Sequence, residues 1–563
     1  MCGFEQAVKL ELLDKKPTRK VGSNHRKFFL VSLLGTTSLF VGCEALSQPR
    51  LIVRNKESVT SMMQLRKSDE NIHLPVEVDG KYVQKVGIGE FLTYAAAIPI
   101  LSVTVLPLTV AYQVGKYILK PILPKPKLPK IDSGYIVKDS EIIPRSKRTY
   151  DIVVLGATGF TGGLCVRHLA KTYGVGKNVK WSIAGRSKDK LEKLKRQLAV
   201  ELNDESIMNV DTITADTTVT SSLPSLVRDT RAIISTAGPF TLYGSPVVEF
   251  CAKFGTHYAD IAAEGDWFKT MMAQWQATAK TTGAKLISFC GHDSVPWEYS
   301  VLKLDEAIKA HSPYDDEEMV SVKLMNESNG GPSGGTIATI CLLMGGKGFS
   351  APDSDPFFQK ADGSVHPFRT NIDIPVAINK EVQPWNDETC YTAPFFMSLV
   401  NAQVTDWSRS LLGRPSISYR EFSIHPDFKS AFVNLCSTAA FVLLILNPVT
   451  EFLVKRFLTP KPGEGPSLED METKQFLSIY GIGTGSKGTQ AESVMYVPKS
   501  AGYLATAQML VEGGLTMALA ESRLPEPHQC GGFSSPAAAL GDVYLERLQE
   551  HAGISFASKI SQS

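Results

Sequence analysis

GATGFTG, residues 156–162, is preceded by the apolar run YDIVVL (150–155) and followed by GLCVRHLAKTY (163–173). A strand-like run, three glycines spaced three apart and a helix-like run together form a phosphate-binding turn. In such a turn Gly156 permits the sharp bend, Gly159 lets the backbone approach a pyrophosphate, and Gly162 lets the helix pack closely on the strand. The N–H groups of Thr158, Phe160 and Thr161 stand at the new helix's N-terminus, where peptide dipoles attract phosphate oxygens.

Beyond this loop, strands and helices alternate. Apolar, β-rich runs recur at 179–184 (VKWSIA), 210–214 (VDTIT), 232–235 (AIIS), 257–261 (HYADI) and 285–289 (KLISF). Helix-like segments such as KDKLEKLKRQLAVEL (188–202) lie between them. That alternation predicts an α/β fold, a Rossmann-type doubly wound parallel sheet.

The second strand chooses between dinucleotides. NAD sites place a carboxylate near its end for the ribose 2′-hydroxyl. Here the strand runs into Arg186 and Ser187, with Lys188 and Lys190 beyond. A guanidinium grips a 2′-phosphate that a carboxylate would repel, so the expected cofactor is NADP(H). Asp216, after the third strand, is placed to reach the adenine. After the fourth strand, Thr236, Ala237 and Gly238 let the chain lie against the cofactor, leaving Pro239 and Tyr243 near the nicotinamide.

The formal net charge of +2 over 563 residues gives no global field for nucleic acid. The nine cysteines show no C-x-x-C pair, so neither a disulfide framework nor a metal site is expected. They read as reduced thiols. The N-terminal part differs in character. FFLVSLLGTTSLFVGC (28–43) follows a basic leader and is too short for a full membrane crossing, which takes roughly 20 residues. The run at 91–119 is uncharged until Lys116 and long enough to span or to dip into one leaflet, with Pro99 and Pro107 at the bend. KPILPKPKLPK (120–130) is a stiff extended spacer. A third apolar run, 430–458, reads either as a core helix or as an interfacial one.

GATGFTG, AGRS, STAGPFTLYGSPVVEFCAKFGTHYADIAAEGDW and ISFCGHDSVPWEYSVL together resemble the saccharopine dehydrogenase-like oxidoreductases, which include trans-acting enoyl reductase-like and lipid-droplet-associated members. SGGTIAT (333–339), PKPGEGPS (460–467), AGYLATAQML (501–510) and GGFSSPAAALGD (531–542) extend the resemblance over residues 148–556. It implies a Rossmann NADP-binding domain at 148–305, a second α+β domain at 306–530, and a C-terminal segment, 531–563, that returns to the first. Residues 1–147 form a targeting or membrane-associating region outside the resemblance. It also implies an NADP-dependent reductase, often lipid-linked, without fixing a substrate.

Hydride transfer asks the protein for a proton source and for polarisation of the acceptor. His292, beside Asp293 at a strand end, is a candidate proton donor, and Tyr243 is a second. Asp260 and Glu264 read as loop ties, and Ser333 or Thr336 as a helix cap. A competing pattern is Tyr299-x-x-x-Lys303 with Ser288 upstream, the arrangement of short-chain dehydrogenases.

The expected function is therefore an NADP(H)-dependent oxidoreductase acting on a hydrophobic or lipid-linked small molecule at a membrane or lipid-droplet surface. The alternatives are a non-catalytic NADP-binding scaffold and an atypical short-chain dehydrogenase. Lipid droplet, endoplasmic reticulum and other organelle membranes stay open, as does the oligomeric state, a homodimer included.

Overall fold

The computed structural model describes residues 105–114, 130–292, 294–328, 336–337, 339–340, 371–373, 377–382, 389–454, 456, 464–525 and 531–561. The run at 28–43, the run at 91–119 apart from 105–114, the linker before Lys130, and Asp293 lie outside the described residues.

The first six strands are β1 (Tyr150–Leu155), β2 (Trp181–Gly185), β3 (Thr212–Thr214), β4 (Thr230–Ser235), β5 (His257–Asp260) and β6 (Lys285–Ile287). There follow β7 (Met319–Ser328), β8 (Asn371–Asp373), β9 (Asn379–Val382), β10 (Thr389–Pro394) and β11 (Ser418–His425). The last are β12 (Leu477–Gly485), β13 (Gln490–Val497), β14 (Gly532–Ser534) and β15 (Ser555–Ile560).

One sheet has the order β14-β6-β5-β4-β1-β2-β3, with every pair parallel. A parallel sheet is covered on both faces, which is why its strands read as unbroken apolar runs; Ile152, Val153 and Val154 are fully buried. At the carboxyl end of β1, Leu155 lies opposite Ala184 of β2 and Ser235 of β4. Strand order reverses on the two sides of β1, and the crevice at such a switch point is where open α/β sheets bind ligands.

The second sheet runs β15-β13-β12-β7-β11-β10-β9, with β8 also beside β11. It is mixed: β7 pairs parallel to β11 and antiparallel to β12. The helix Val295–His311 leaves β6 and packs on β7, β12, β13 and β15.

Two late segments return across the first sheet. The helix Thr506–Leu519 lies over β1, β4 and β5, beside the helix Phe160–Tyr173. Its Glu512 carboxylate is fully buried and accepts from Tyr173 Oη at 2.8 Å and Arg547 Nη2 at 2.7 Å, with His168 Nε2 at 2.7 Å. Strand β14 then joins β6, and after the helix Pro536–Ala552 strand β15 joins β13. The chain end thus stitches the two sheets together.

The third apolar run forms the helix Phe428–Leu446 and then the short helix Pro448–Leu453. They break at Asn447, whose side chain accepts from the Val449 amide at 3.0 Å, ahead of a proline that cannot continue the first helix. Phe428–Leu446 is long and apolar enough to cross a membrane, and 39% of its apolar window is buried in the protein. Its last carbonyl, that of Leu446, accepts from Gln113 Nε2 at 2.7 Å, which ties it to the helix Val105–Val114.

Candidate functional site

The turn after β1 is shaped by its glycines. Gly156 sits at φ +87°, open to glycine and strained for other residues. The amide of Gly159 donates back to the Gly156 carbonyl at 2.9 Å, and Gly163 donates to Gly159 at 2.8 Å to open the helix. Among the described residues, no protein acceptor takes the Phe160, Thr161 or Gly162 N–H groups, as expected of a helix start. Thr158 and Gly159 are exposed, Phe160 and Thr161 half-buried and Gly162 buried. A Cβ on Gly162 would lie 2.2 Å from the Gly156 oxygen; only hydrogen fits there. Thr236 Oγ1, after β4, lies 3.2 Å from that same oxygen and holds the turn from the other side.

At the end of β2, Arg186 is exposed and makes no hydrogen bond among the described residues. Ser187 caps the following helix, its Oγ accepting from the Lys190 amide at 3.4 Å. Asp216 accepts from Thr218 Oγ1 at 2.7 Å and from the Thr218 amide at 2.9 Å. The Thr218 hydroxyl and amide hold its carboxyl below the usual range, with a smaller contribution from the Arg186 charge.

After β4, Thr236, Ala237, Gly238 and Pro239 form the second wall and lead into the helix Phe240–Tyr243. The buried Glu264 carboxylate fixes that helix, accepting from the Phe240 and Thr241 amides at 2.8 and 2.5 Å. Burial raises its pKa against the pull of those donors. Tyr243 ends the helix half-buried, with no side-chain hydrogen bond among the described residues.

At the end of β5, Asp260 is fully buried and accepts from Tyr258 Oη at 2.7 Å, the Ala262 amide at 3.0 Å and Ser288 Oγ. Burial pushes its pKa up to about 7. Every oxygen of Asp260 and Glu264 is thus committed to holding loops. His292 follows β6, half-buried, its ring edge-on to Trp297 at 5.1 Å. Its backbone N–H donates to Thr506 Oγ1 at 3.0 Å.

Three segments from the second half gather near this turn. The Phe160 ring meets Tyr503 edge-on at 5.3 Å. Tyr503 belongs to the π-helical turn Ala501–Ala505, a local irregularity frequent at functional sites, and its hydroxyl lies 3.2 Å from Thr336 Oγ1. Gly465 also packs on Phe160, where a Cβ would come 2.5 Å from the ring. The structure therefore brings Phe160 and His292 to one short segment, 501–506, and leaves Tyr243 outside those contacts. Thr336, Gly465, Tyr503 and Thr506 lie in stretches that the family resemblance marks, but the residues suggest a role only for Thr336, as a cap alternative to Ser333. Charge and spacing carry no signal for the other three.

The short-chain dehydrogenase arrangement is corrected by the packing. Tyr299 is fully buried and its hydroxyl donates to the Gly541 carbonyl at 2.7 Å, while Lys303 pairs with Glu306 at 2.8 Å and with Asp542. Ser288 is spent on Asp260. A tyrosine sealed under the C-terminal helix reaches no substrate.

A Rossmann sheet whose glycine turn offers free amides, with a guanidinium at the end of β2, defines a dinucleotide-binding protein suited to NADP. Residues 152–286 match the saccharopine dehydrogenase NADP binding domain. Over 425 residues the chain is 32% identical to a putative trans-acting enoyl reductase of Mycobacterium tuberculosis, covering 72% of this chain and 97% of the relative. It is 28% identical over 421 residues to a trans-acting enoyl reductase of Mycobacterium ulcerans, again 72% and 97%. Among solved structures, apo saccharopine dehydrogenase from Saccharomyces cerevisiae aligns with a TM-score of 0.42 at 12% identity, over 73% of this chain and 99% of that one. The chain belongs to the saccharopine dehydrogenase-like family and is an NADP(H)-dependent oxidoreductase.

Proposed function

We propose that this oxidoreductase reduces a hydrophobic, lipid-linked substrate while resting on a membrane or lipid-droplet surface. The observation that carries the surface half is an apolar face. Leu108 and Val114 on Val105–Val114, and Val449 and Phe452 on Pro448–Leu453, are each half or more exposed. The Gln113–Leu446 hydrogen bond ties the first of these helices to Phe428–Leu446, which Pro448–Leu453 directly follows. In sequence, Lys116 and Lys120 follow the first helix and Lys455 and Arg456 follow the second, a placement that suits anionic headgroups. The substrate half is supported by the relatives, which are named enoyl reductases.

NADPH, when bound, supplies the hydride; the free amides of Phe160, Thr161 and Gly162 and the Arg186 guanidinium hold its phosphates. Reduction of a conjugated double bond adds a proton as well, and His292 is the residue we assign to deliver it. Its loop is fixed by Thr506 and its ring by Trp297, which sets the direction of the imidazole. Asp260, Glu264 and the Phe160–Tyr503 pair keep the crevice walls in place and exclude water.

The test is NADPH oxidation by the full chain on liposomes carrying α,β-unsaturated acyl lipids. Turnover that falls by about 10²-fold in His292→Asn, the range typical of a lost general acid, supports the assignment. Oxidation unchanged in that variant removes His292 from the chemistry. No oxidation of NADPH with any acyl lipid, by protein that still binds NADPH, favours the scaffold alternative.

A further inference from the structure

Away from the glycine turn, a cavity of about 510 Å³ opens between the helices Phe160–Tyr173 and Thr506–Leu519, the C-terminal helix and the Pro498–Lys499 link. An α-helix rises about 1.5 Å per residue, so Lys171 at its rim stands about 16 Å along the helix from Phe160. The Lys171 end of the cavity is therefore distant from the glycine turn, while Leu164 and Leu504 bring its other end close to Phe160 and Tyr503.

Its charged lining does not balance. Arg167 is paired with Glu201 at 2.6 Å and with Glu472 at 3.4 Å, and Glu550 stands 3.7 Å from His551. Lys171 and Lys499 have no hydrogen bond or ion pair among the described residues. Lys499 is half-buried, and burial, then the Lys171 charge, lowers its pKa against a smaller pull from Glu472. In the same lining, Gln508 Oε1 is buried without a hydrogen-bond partner among the described residues. A folded protein gains nothing from a partly desolvated ammonium group and an idle amide oxygen set beside a void. Departures of this kind collect at functional sites. Leu164, Pro498 and Leu504 supply the apolar part of the wall, with His168 and Thr172 beside them.

We propose that this cavity is a binding site for a small phosphate monoester. The phosphate lies between the Lys171 and Lys499 ammonium groups, with the Gln508 amide turned to donate to it, and the carbon body rests on Leu164 and Leu504. Two compact ammonium charges suit a compact dianion, and the volume is in the range of small-molecule sites rather than of a single ion. The site does not depend on the reductase reading.

The experiment is calorimetry on the full chain saturated with NADPH, so that the cofactor site cannot take the probe. The probes are glycerol phosphate, inorganic phosphate and glycerol. The expected result is saturable uptake of glycerol phosphate, weaker by about ten-fold or more in Lys499→Met and in Lys171→Met, as the loss of one charged contact implies. NADPH affinity should stay within about two-fold in both variants, since neither lysine reaches the cofactor phosphates. Lys171 is exposed, so its variant keeps the test valid should Lys499→Met fold poorly. No uptake of either phosphate, or equal affinity in wild type and both variants, overturns the proposal. Inorganic phosphate binding as tightly as the ester overturns the ligand class, and binding of glycerol alone overturns the role of the lysines.

Discussion

Two neighbouring glycines in the helix Phe160–Tyr173 allow a matched test of the turn. In Gly162→Ala the new methyl would lie 2.2 Å from the Gly156 oxygen and 2.9 Å from Ala157 Cα; ordinary contact begins at 3.4 Å, so the carbonyl must retreat by about 1.2 Å. Thr236 Oγ1, at 2.8 Å, can rotate away, but the two backbone atoms cannot be relieved by any side-chain rotation. The helix start must then move off β1, and with it the Phe160 and Thr161 amides. Overpacking of this kind destabilises by about 1–3 kcal/mol, and a displacement near 1 Å at a positioned group costs on the order of 10²-fold. In Gly163→Ala the nearest atom is Leu194 Cδ1 at 3.8 Å. There the methyl has room and raises helix propensity by up to about 1 kcal/mol. Calorimetric titration with NADPH and urea unfolding separate the two effects. Gly162→Ala should lose about 10²-fold in NADPH affinity, while Gly163→Ala keeps its affinity and gains stability. A Gly162→Ala protein that is less stable yet binds NADPH like the wild type would refute the claim that this turn cradles the phosphates.

Arg186→Ala should weaken NADPH by about 10–100-fold, the worth of a charged hydrogen bond to phosphate, and leave NADH within about two-fold; equal losses for both cofactors in titration would show that Arg186 does not read the 2′-phosphate. Glu512→Ala should cost about 3–5 kcal/mol in urea unfolding, because it leaves Arg547 and His168 facing a void. Burial raises the Glu512 pKa, but His168 and Arg547 outweigh it and the net direction is down. The stabilisation is therefore full above the unfolded value of about 4.3 and is lost as pH falls through the lower folded value, so the variant should show a flatter acid limb. Val449→Asp with Phe452→Asp should release the protein from anionic liposomes in a flotation assay with urea stability within about 0.5 kcal/mol, as both side chains are mostly exposed; undiminished flotation would move the lipid contact elsewhere.

The first sheet was legible because its signals are local. YDIVVL followed by GATGFTG carries a strand, a turn and a helix within one stretch of chain, and apart from the edge strand β3 the strands β1 to β6 are buried on both faces and so read as apolar runs. β14 was not legible: Gly532–Ser534 is three residues long, too short for any periodicity, and is a strand only because β6 offers an open edge. The fates of Tyr299 and Lys303 were equally hidden. Y-x-x-x-K spacing places both on one helical face, but whether that face meets substrate or the helix Pro536–Ala552 depends on residues some 240 positions later.

The sequence by itself therefore determined the dinucleotide turn and the phosphorylated form of its cofactor, since glycine's missing side chain and arginine's charge act within a few residues of where they are written. Only the tertiary structure decided which distant groups close over that turn. The meeting of Gly465 and Tyr503 on Phe160, of Thr506 on the His292 loop and of Glu512 on His168 follows from how two sheets and the returning helix pack. Such contacts are fixed by burial of whole surfaces, a property of the assembled layers that no short stretch carries.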